Sequence, residues 1–93
     1  MKRWKLRWSR RALADLQGFH EWLSTLESAK PAKTIARIRA SAKTLQRLGD
    51  IGRPGAVEGV REFSVRNAPY VLVYSVDGDV IEIVAVYHTA QNR

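Results

Sequence analysis

Residues 70–88 read Tyr70-Val71-Leu72-Val73-Tyr74-Ser75-Val76-Asp77-Gly78-Asp79-Val80-Ile81-Glu82-Ile83-Val84-Ala85-Val86-Tyr87-His88. Tyr70, Leu72, Tyr74 and Val76 recur at every second place, the spacing of one face of a strand. Asp77-Gly78 comes next as a two-residue hairpin signal, because glycine accepts the positive φ such turns demand. From Val80 to Tyr87 the alternation resumes, with Ile81, Ile83, Ala85 and Tyr87 on one face and Glu82, Val84, Val86 and His88 on the other. Upstream, Val60 to Arg66 predicts a third strand, with Phe63 and Val65 opposite Glu62, Ser64 and Arg66, and Asn67-Ala68-Pro69 turns it into the next. This stretch is therefore a three-stranded antiparallel meander. Both faces of its last two strands are apolar enough to predict helices on one side and a partner on the other.

The residues before the meander change period. Trp4, Leu6 and Trp8 alternate with Lys5 and Arg7, as in an N-terminal strand that pairs at a sheet edge or joins another chain. Ser9 is placed to cap a helix, and Ala12, Leu13, Leu16, His20 and Leu23 form its stripe, widened by Phe19, Trp22 and Leu26. His20 reads as a packed residue, and Gly18 inside the helix implies a close helix contact. Ser28 is the expected cap of a second helix with Pro31 in its first turn. Ile35, Ile38, Ala42, Leu45 and Leu48 make its apolar face, and Gly49 stops it. Asp50-Ile51-Gly52-Arg53-Pro54-Gly55 reads as a turn-rich loop. The expected fold is α+β, in the order β-α-α-β-β-β: one domain, residues 1–93, with an antiparallel sheet and an N-terminal helical hairpin on one face.

Charge divides along the same line. Of 93 residues, 16 are Lys or Arg and 9 are Asp or Glu, giving a formal net charge of +7. Residues 1–49 hold twelve of the bases and three of the acids, so all the positive excess lies in the first strand and the helical hairpin. Such asymmetry favours an anionic partner. With no cysteine, disulfide and thiolate chemistry are excluded. No apolar run reaches the roughly 18 residues of a membrane span, and the basic N-terminus lacks the apolar stretch of a signal peptide, which predicts a cytoplasmic protein with no membrane partner. His20 and His88 are far apart in sequence, no metal-ligand spacing or phosphate loop is present, and no metal or cofactor is expected.

One group of residues has the chemistry to cut RNA. Arg61, Arg66, Glu58, Tyr87 and His88 lie on or beside neighbouring strands. Attack by a 2′-OH needs an acid, a base and a cation, and His, Glu and Arg can supply them. Lys33, Arg37, Lys43 and Arg47 give the second helix a basic outer surface suited to nucleic acid. Trp4, Leu16, Trp22, Ile35 and Ile38 are candidates for core or for partner contact.

The whole chain resembles the RelE/ParE superfamily of bacterial toxins from type II toxin–antitoxin modules, the family of plasmid stabilisation proteins. The resemblance is carried by Leu6-Arg7-Trp8-Ser9 with Ala12 and Asp15-Leu16, by Gly52-Arg53-Pro54-Gly55, and by Gly59-Val60-Arg61-Glu62-Phe63. It continues through Pro69-Tyr70-Val71-Leu72-Val73-Tyr74, Asp77-Gly78-Asp79 and Val86-Tyr87-His88-Thr89-Ala90-Gln91-Asn92. It implies a growth-arresting toxin neutralised by a cognate antitoxin, through which alone the pair would reach operator DNA. ParE-like members inhibit DNA gyrase without known nucleolytic chemistry; RelE-like members are mRNA interferases that cut mRNA in the ribosome. RelE-like nucleases usually carry an arginine where Val71 stands here, and lysines near the loop before the meander, whereas no lysine occurs after Lys43. These departures favour the ParE-like reading. The alternatives are a nuclease acting through Arg61 and His88, and a non-toxic basic nucleic-acid-binding module. Lys33, Arg37, Lys43, Arg47, Arg66 and Tyr87 are the expected binding residues, and Trp4, Leu16, Trp22, Ile35 and Ile38 the expected antitoxin contacts.

Overall fold

A computed structural model of the chain describes residues 3–91, so Lys2 and Arg93 of the charge pattern and Asn92 of the closing motif lie outside the described residues. The elements in order are β1 (Lys5–Trp8), α1 (Arg10–Leu23), α2 (Pro31–Leu48), β2 (Arg53–Pro54), β3 (Arg61–Ser64), β4 (Tyr70–Asp77) and β5 (Val80–His88). The architecture is α+β, with both helices packed on one face of a five-stranded sheet of order β1-β5-β4-β3-β2. No helix among the described residues is long and apolar enough to cross a membrane.

The sheet is mixed rather than wholly antiparallel. The meander reverses at every turn, so β3 and β5 run the same way. β1 runs that way too, and it takes the edge beside β5 in parallel, with Lys5 opposite Val80 and Trp8 opposite Ile83. The loop before the meander also contributes a two-residue strand, as Arg53 and Pro54 pair with Glu62 and Arg61. Proline suits that outermost position because it donates nothing to a further strand. The β4–β5 loop is Gly78-Asp79, one residue later than expected, since Asp77 still pairs with Val80. Gly78, at φ 60°, supplies the positive angle.

Ser9 does what its position predicts, and more. Its Oγ accepts from the Ala12 amide at 3.0 Å, capping α1, and donates to the Val84 carbonyl at 2.7 Å. That carbonyl belongs to a bulge. Val73 pairs with Ala85 but Tyr74 pairs with Ile83, which leaves Val84 as the extra residue. The bulge changes which residues share a face. Ile81, Ile83 and Val86 enter the helix-side core, while Tyr87 turns to the open face and bonds Glu62 there. The simple alternation, which put Ala85 and Tyr87 with Ile83, is corrected at this point. Beyond Ile83, where β1 has ended, α1 takes over the edge of β5. The Ser9 amide donates to the Ile83 carbonyl at 2.9 Å, and the Val86 amide donates to Asp15 Oδ2 at 2.9 Å.

α1 buries Ala12, Leu16 and Leu23, and α2 buries Ile38, Ser41, Ala42 and Leu45. They meet Tyr70, Leu72 and Tyr74 of β4, the face that period two predicts. Four details depart from the sequence reading. Leu13 and His20 point to solvent rather than into the hairpin, because Leu16 and Leu23 already fill it. A Cβ at Gly18 would meet nothing within 4 Å, so no close helix contact requires that glycine. The residue capping α2 is Lys30, with no side-chain bond, in place of Ser28. Gly49, by contrast, is doubly required. Its φ is 86°, its amide closes the helix on the Leu45 carbonyl at 2.7 Å, and the Trp4 indole stands where a Cβ would be.

Asp15 satisfies a buried strand amide from a helix, so its loss leaves that amide unpaired. Asp15→Ala should lower unfolding stability by about 1–3 kcal/mol. Urea denaturation of the two proteins measures it.

Candidate functional site

The residues with chemical potential fall into four places. On the open face of the sheet, Glu62 is almost fully buried, 5% exposed. Its Oε1 accepts from the Tyr87 hydroxyl at 3.0 Å and from Arg53 Nη2 at 3.3 Å, and Arg53 Nη1 reaches Ser64 Oγ at 3.1 Å. Val71 pairs with Ser64 on one side and Tyr87 on the other and is 3% exposed. An apolar side chain thus occupies the centre of this face, beside a carboxylate already paired with a cation.

A second cluster lies at the start of β3, on the helix side. Tyr74 is wholly buried, and its hydroxyl donates to Asp50 Oδ1 and accepts from the Gly52 amide, both at 2.7 Å. Arg61 donates from Nη2 to the Gly52 carbonyl, and its Nε lies 2.7 Å from Asp50 Oδ1 as an ion pair not aligned as a hydrogen bond. Gly52 is held so closely that a Cβ would fall 2.4 Å from the Tyr74 oxygen. Burial, helped by the Asp50 hydrogen bond, raises the Tyr74 pKa above its ordinary value of 10.0, against the opposing pull of the Gly52 amide and Arg61. By sequence, Tyr74 reads as core and Asp50 as loop. Their pairing leaves no local signal because it joins residues 24 apart.

The third place is the far end of the sheet, where His88 closes β5. Its Nδ1 accepts from the Ala90 amide at 3.0 Å, and its own amide donates to Gln91 Oε1 at 2.7 Å. The ring stands edge-on to Tyr70 at 5.1 Å and to Trp22 at 6.0 Å. Beside it an open groove of about 520 Å³ runs along α1, lined by Ala14, Gly18, Phe19, Trp22, His88 and Gln91 among others. The missing side chain at Gly18 thus widens this groove.

Arg61 and His88 are not brought together. They pair with Tyr74 and Tyr70, which lie about 13 Å apart along β4 at 3.3 Å per residue. Tyr87 faces away from both, toward Glu62. Glu58 is exposed in the loop beside Arg61, and Arg66 is exposed at the β3–β4 turn. Leu16 and Ile38 are core residues, as their burial leaves no surface for a partner. Trp4 and Ile35 pack partly against the core, whereas Trp22 is 48% exposed.

The fourth place is the outer surface of α2. Lys33, Arg37, Lys43 and Arg47 are all exposed there. The ion pairs among the described residues join Lys5 to Asp79, Arg7 to Glu82, Arg11 to Asp15, Arg53 to Glu62 and Arg61 to Asp50. None involves α2. Arg37 donates only to the neutral carbonyl of Asn67, and Arg39 lies over the Trp8 ring.

Comparison with known proteins bears out the fold. Residues 6–93 match the family described as the ParE toxin of the type II toxin–antitoxin system, parDE. Y4kP, a toxin candidate of Sinorhizobium fredii, is 32% identical over 91 residues, covering 98% of this chain and 94% of its own. A chain of the chromosomal ParDE system from P. aeruginosa superimposes with a TM-score of 0.83 at 30% identity, covering 91% of this chain and 95% of that one. A chain of the RelBE2 toxin–antitoxin complex from Mycobacterium tuberculosis gives 0.69 at 24% identity, covering 98% and 97%. That last likeness concerns the fold alone.

The Tyr74 cluster can be tested by stability. Tyr74→Phe should cost about 1–3 kcal/mol at neutral pH, because Asp50 and the Gly52 amide lose their partner. A raised phenol pKa means that its contribution is intact below 10.0 and is lost as pH rises through the folded value. The wild-type protein should therefore weaken above pH 10.0, and Tyr74→Phe should show a shallower loss. Urea titrations at neutral and alkaline pH read both.

Proposed function

We infer the activity from the family, for the chain belongs to the ParE toxins of type II toxin–antitoxin systems, and we propose that it arrests growth by binding DNA gyrase in the cytoplasm. The observation that carries the choice of target is the placement of Arg61 and His88. A nuclease would need a cation and an acid–base group on one phosphate, and here each is engaged by its own neighbours, at register positions four residues apart along β4. Val71 and the paired Glu62 support the same reading on the open face. The higher identity to the ParDE chain than to the RelBE2 chain adds support.

The toxin is held inactive by a cognate antitoxin, through which operator DNA is reached. Two surfaces suit it. The outer edge of β1 is paired by no strand among the described residues and offers main-chain groups to an added strand. The groove beside Trp22 offers a half-exposed aromatic anchor above the small side of α1.

Two measurements test this. Purified toxin in a gyrase supercoiling assay should inhibit the enzyme or trap cleaved DNA. In a translating extract mRNA should stay intact; cleavage there, abolished by His88→Ala, would overturn the gyrase reading in favour of the nuclease. Trp22→Ala should weaken antitoxin binding by about tenfold or more, roughly 1.4 kcal/mol. Since Trp22 is half exposed, its thermal unfolding should move little, which separates an interface role from a core one.

A further inference from the structure

We propose that the outer face of α2 is a binding surface for the phosphate backbone of duplex DNA. The helix has 18 residues and no acid. Lys33, Arg37, Lys43 and Arg47 fall within a sector of about 120° and span about 21 Å of helix axis at 100° and 1.5 Å per residue. Ala36 and Ala40 lie between them and keep the surface low.

No acid among the described residues holds this charge. Lys33 sits in the first turn, where the helix dipole disfavours a cation and no acid offsets it. None of the four cations has an ion pair among the described residues, although bases elsewhere in the chain are paired with acids. The face also lacks the anchors that a protein partner would need. The exposed large apolar residues are Leu13, Trp22, Leu26, Leu48, Ile51 and Val57, and none lies between Lys33 and Arg47. Protein interfaces are held by buried apolar or aromatic anchors, whereas a phosphate backbone is held by cations alone. α2 carries no aromatic residue, so it has no platform for stacking unpaired bases. A continuous duplex backbone fits the features that remain. The assignment rests on gyrase as target in one respect: the duplex is the DNA that gyrase carries, held by sequence-independent contacts.

The test uses free toxin and a labelled duplex, with anisotropy read between 50 and 200 mM salt. Four phosphate contacts predict a slope of log K against log salt near −3.6, about a 150-fold loss over that range. Replacing Lys33, Arg37, Lys43 and Arg47 together by Gln should flatten the slope toward zero with the helical circular dichroism unchanged. Lys5→Gln with Arg7→Gln, which removes two paired cations elsewhere, should leave it nearly intact. An absence of binding at 50 mM salt, a slope unmoved by the fourfold variant, or tighter binding to single-stranded or duplex RNA overturns the proposal. Gyrase inhibition is measured on the same proteins. If the wild-type toxin inhibits gyrase yet binds no DNA, this proposal fails and the gyrase reading stands. If α2-dependent DNA binding is found without inhibition, the surface stands and the gyrase reading fails.

Discussion

The Ser9 hydroxyl accepts from the first turn of α1 and donates to the bulged carbonyl of Val84, and the rest of the fold depends on that pair of bonds. One oxygen fixes where β1 becomes a helix and where β5 takes its extra residue. The bulge decides that Val86 enters the core and that Tyr87 leaves it. It also leaves His88 packed against Tyr70 and Trp22 at the end of the groove. Asp15, further along the same helix, completes the arrangement by taking the Val86 amide. Beyond Ile83 the edge of β5 is closed by Ser9 and Asp15 at the start of the helix, without a further strand.

Charge in this molecule has two distinct physical roles. In the sheet and its loops, cations are consumed by acids: Asp50, Glu62, Asp79 and Glu82 each hold a base. The pairs with Asp50 and Glu62 belong to partly buried networks, which fix the loop at Gly52 and the short strand β2. Along α2 no cation is held by an acid among the described residues. A single formal charge conceals this division, because it counts a neutralised Arg61 and a solvated Lys43 alike.

Much of the fold is legible in the sequence. Period two in Tyr70–Val76 marks the buried face of β4, Ser9 and Gly49 mark helix ends correctly, and the hairpin signal lies within one residue of the true turn. The rest depends on contacts that local pattern does not carry. The bulge at Val84 is set by a hydroxyl 75 residues away, so strict alternation misassigns Ala85, Val86 and Tyr87. The parallel pairing of β1 depends on the direction the meander has reached when β5 arrives. At the site, exposed cations on α2 are readable from helical spacing alone. The separation of Arg61 from His88 is not, since it depends on where each pairs along β4. Gly18 misleads for the opposite reason: a residue with no neighbour leaves no local signal of why it is there.

The parallel pairing of β1 with β5 also sets a timetable. The strand near residue 5 has no place in the sheet until the strand near residue 80 exists to receive it. On the ribosome, the first strand, with Trp8 in it and Trp4 just before it, must wait while the hairpin and most of the meander are made. Such long-range closure is slow to form and comes late. The finished sheet can therefore appear only after residues 80–83 have been made. Until then the β1 segment is an unpaired strand with apolar side chains, open to any chain that can pair with it first.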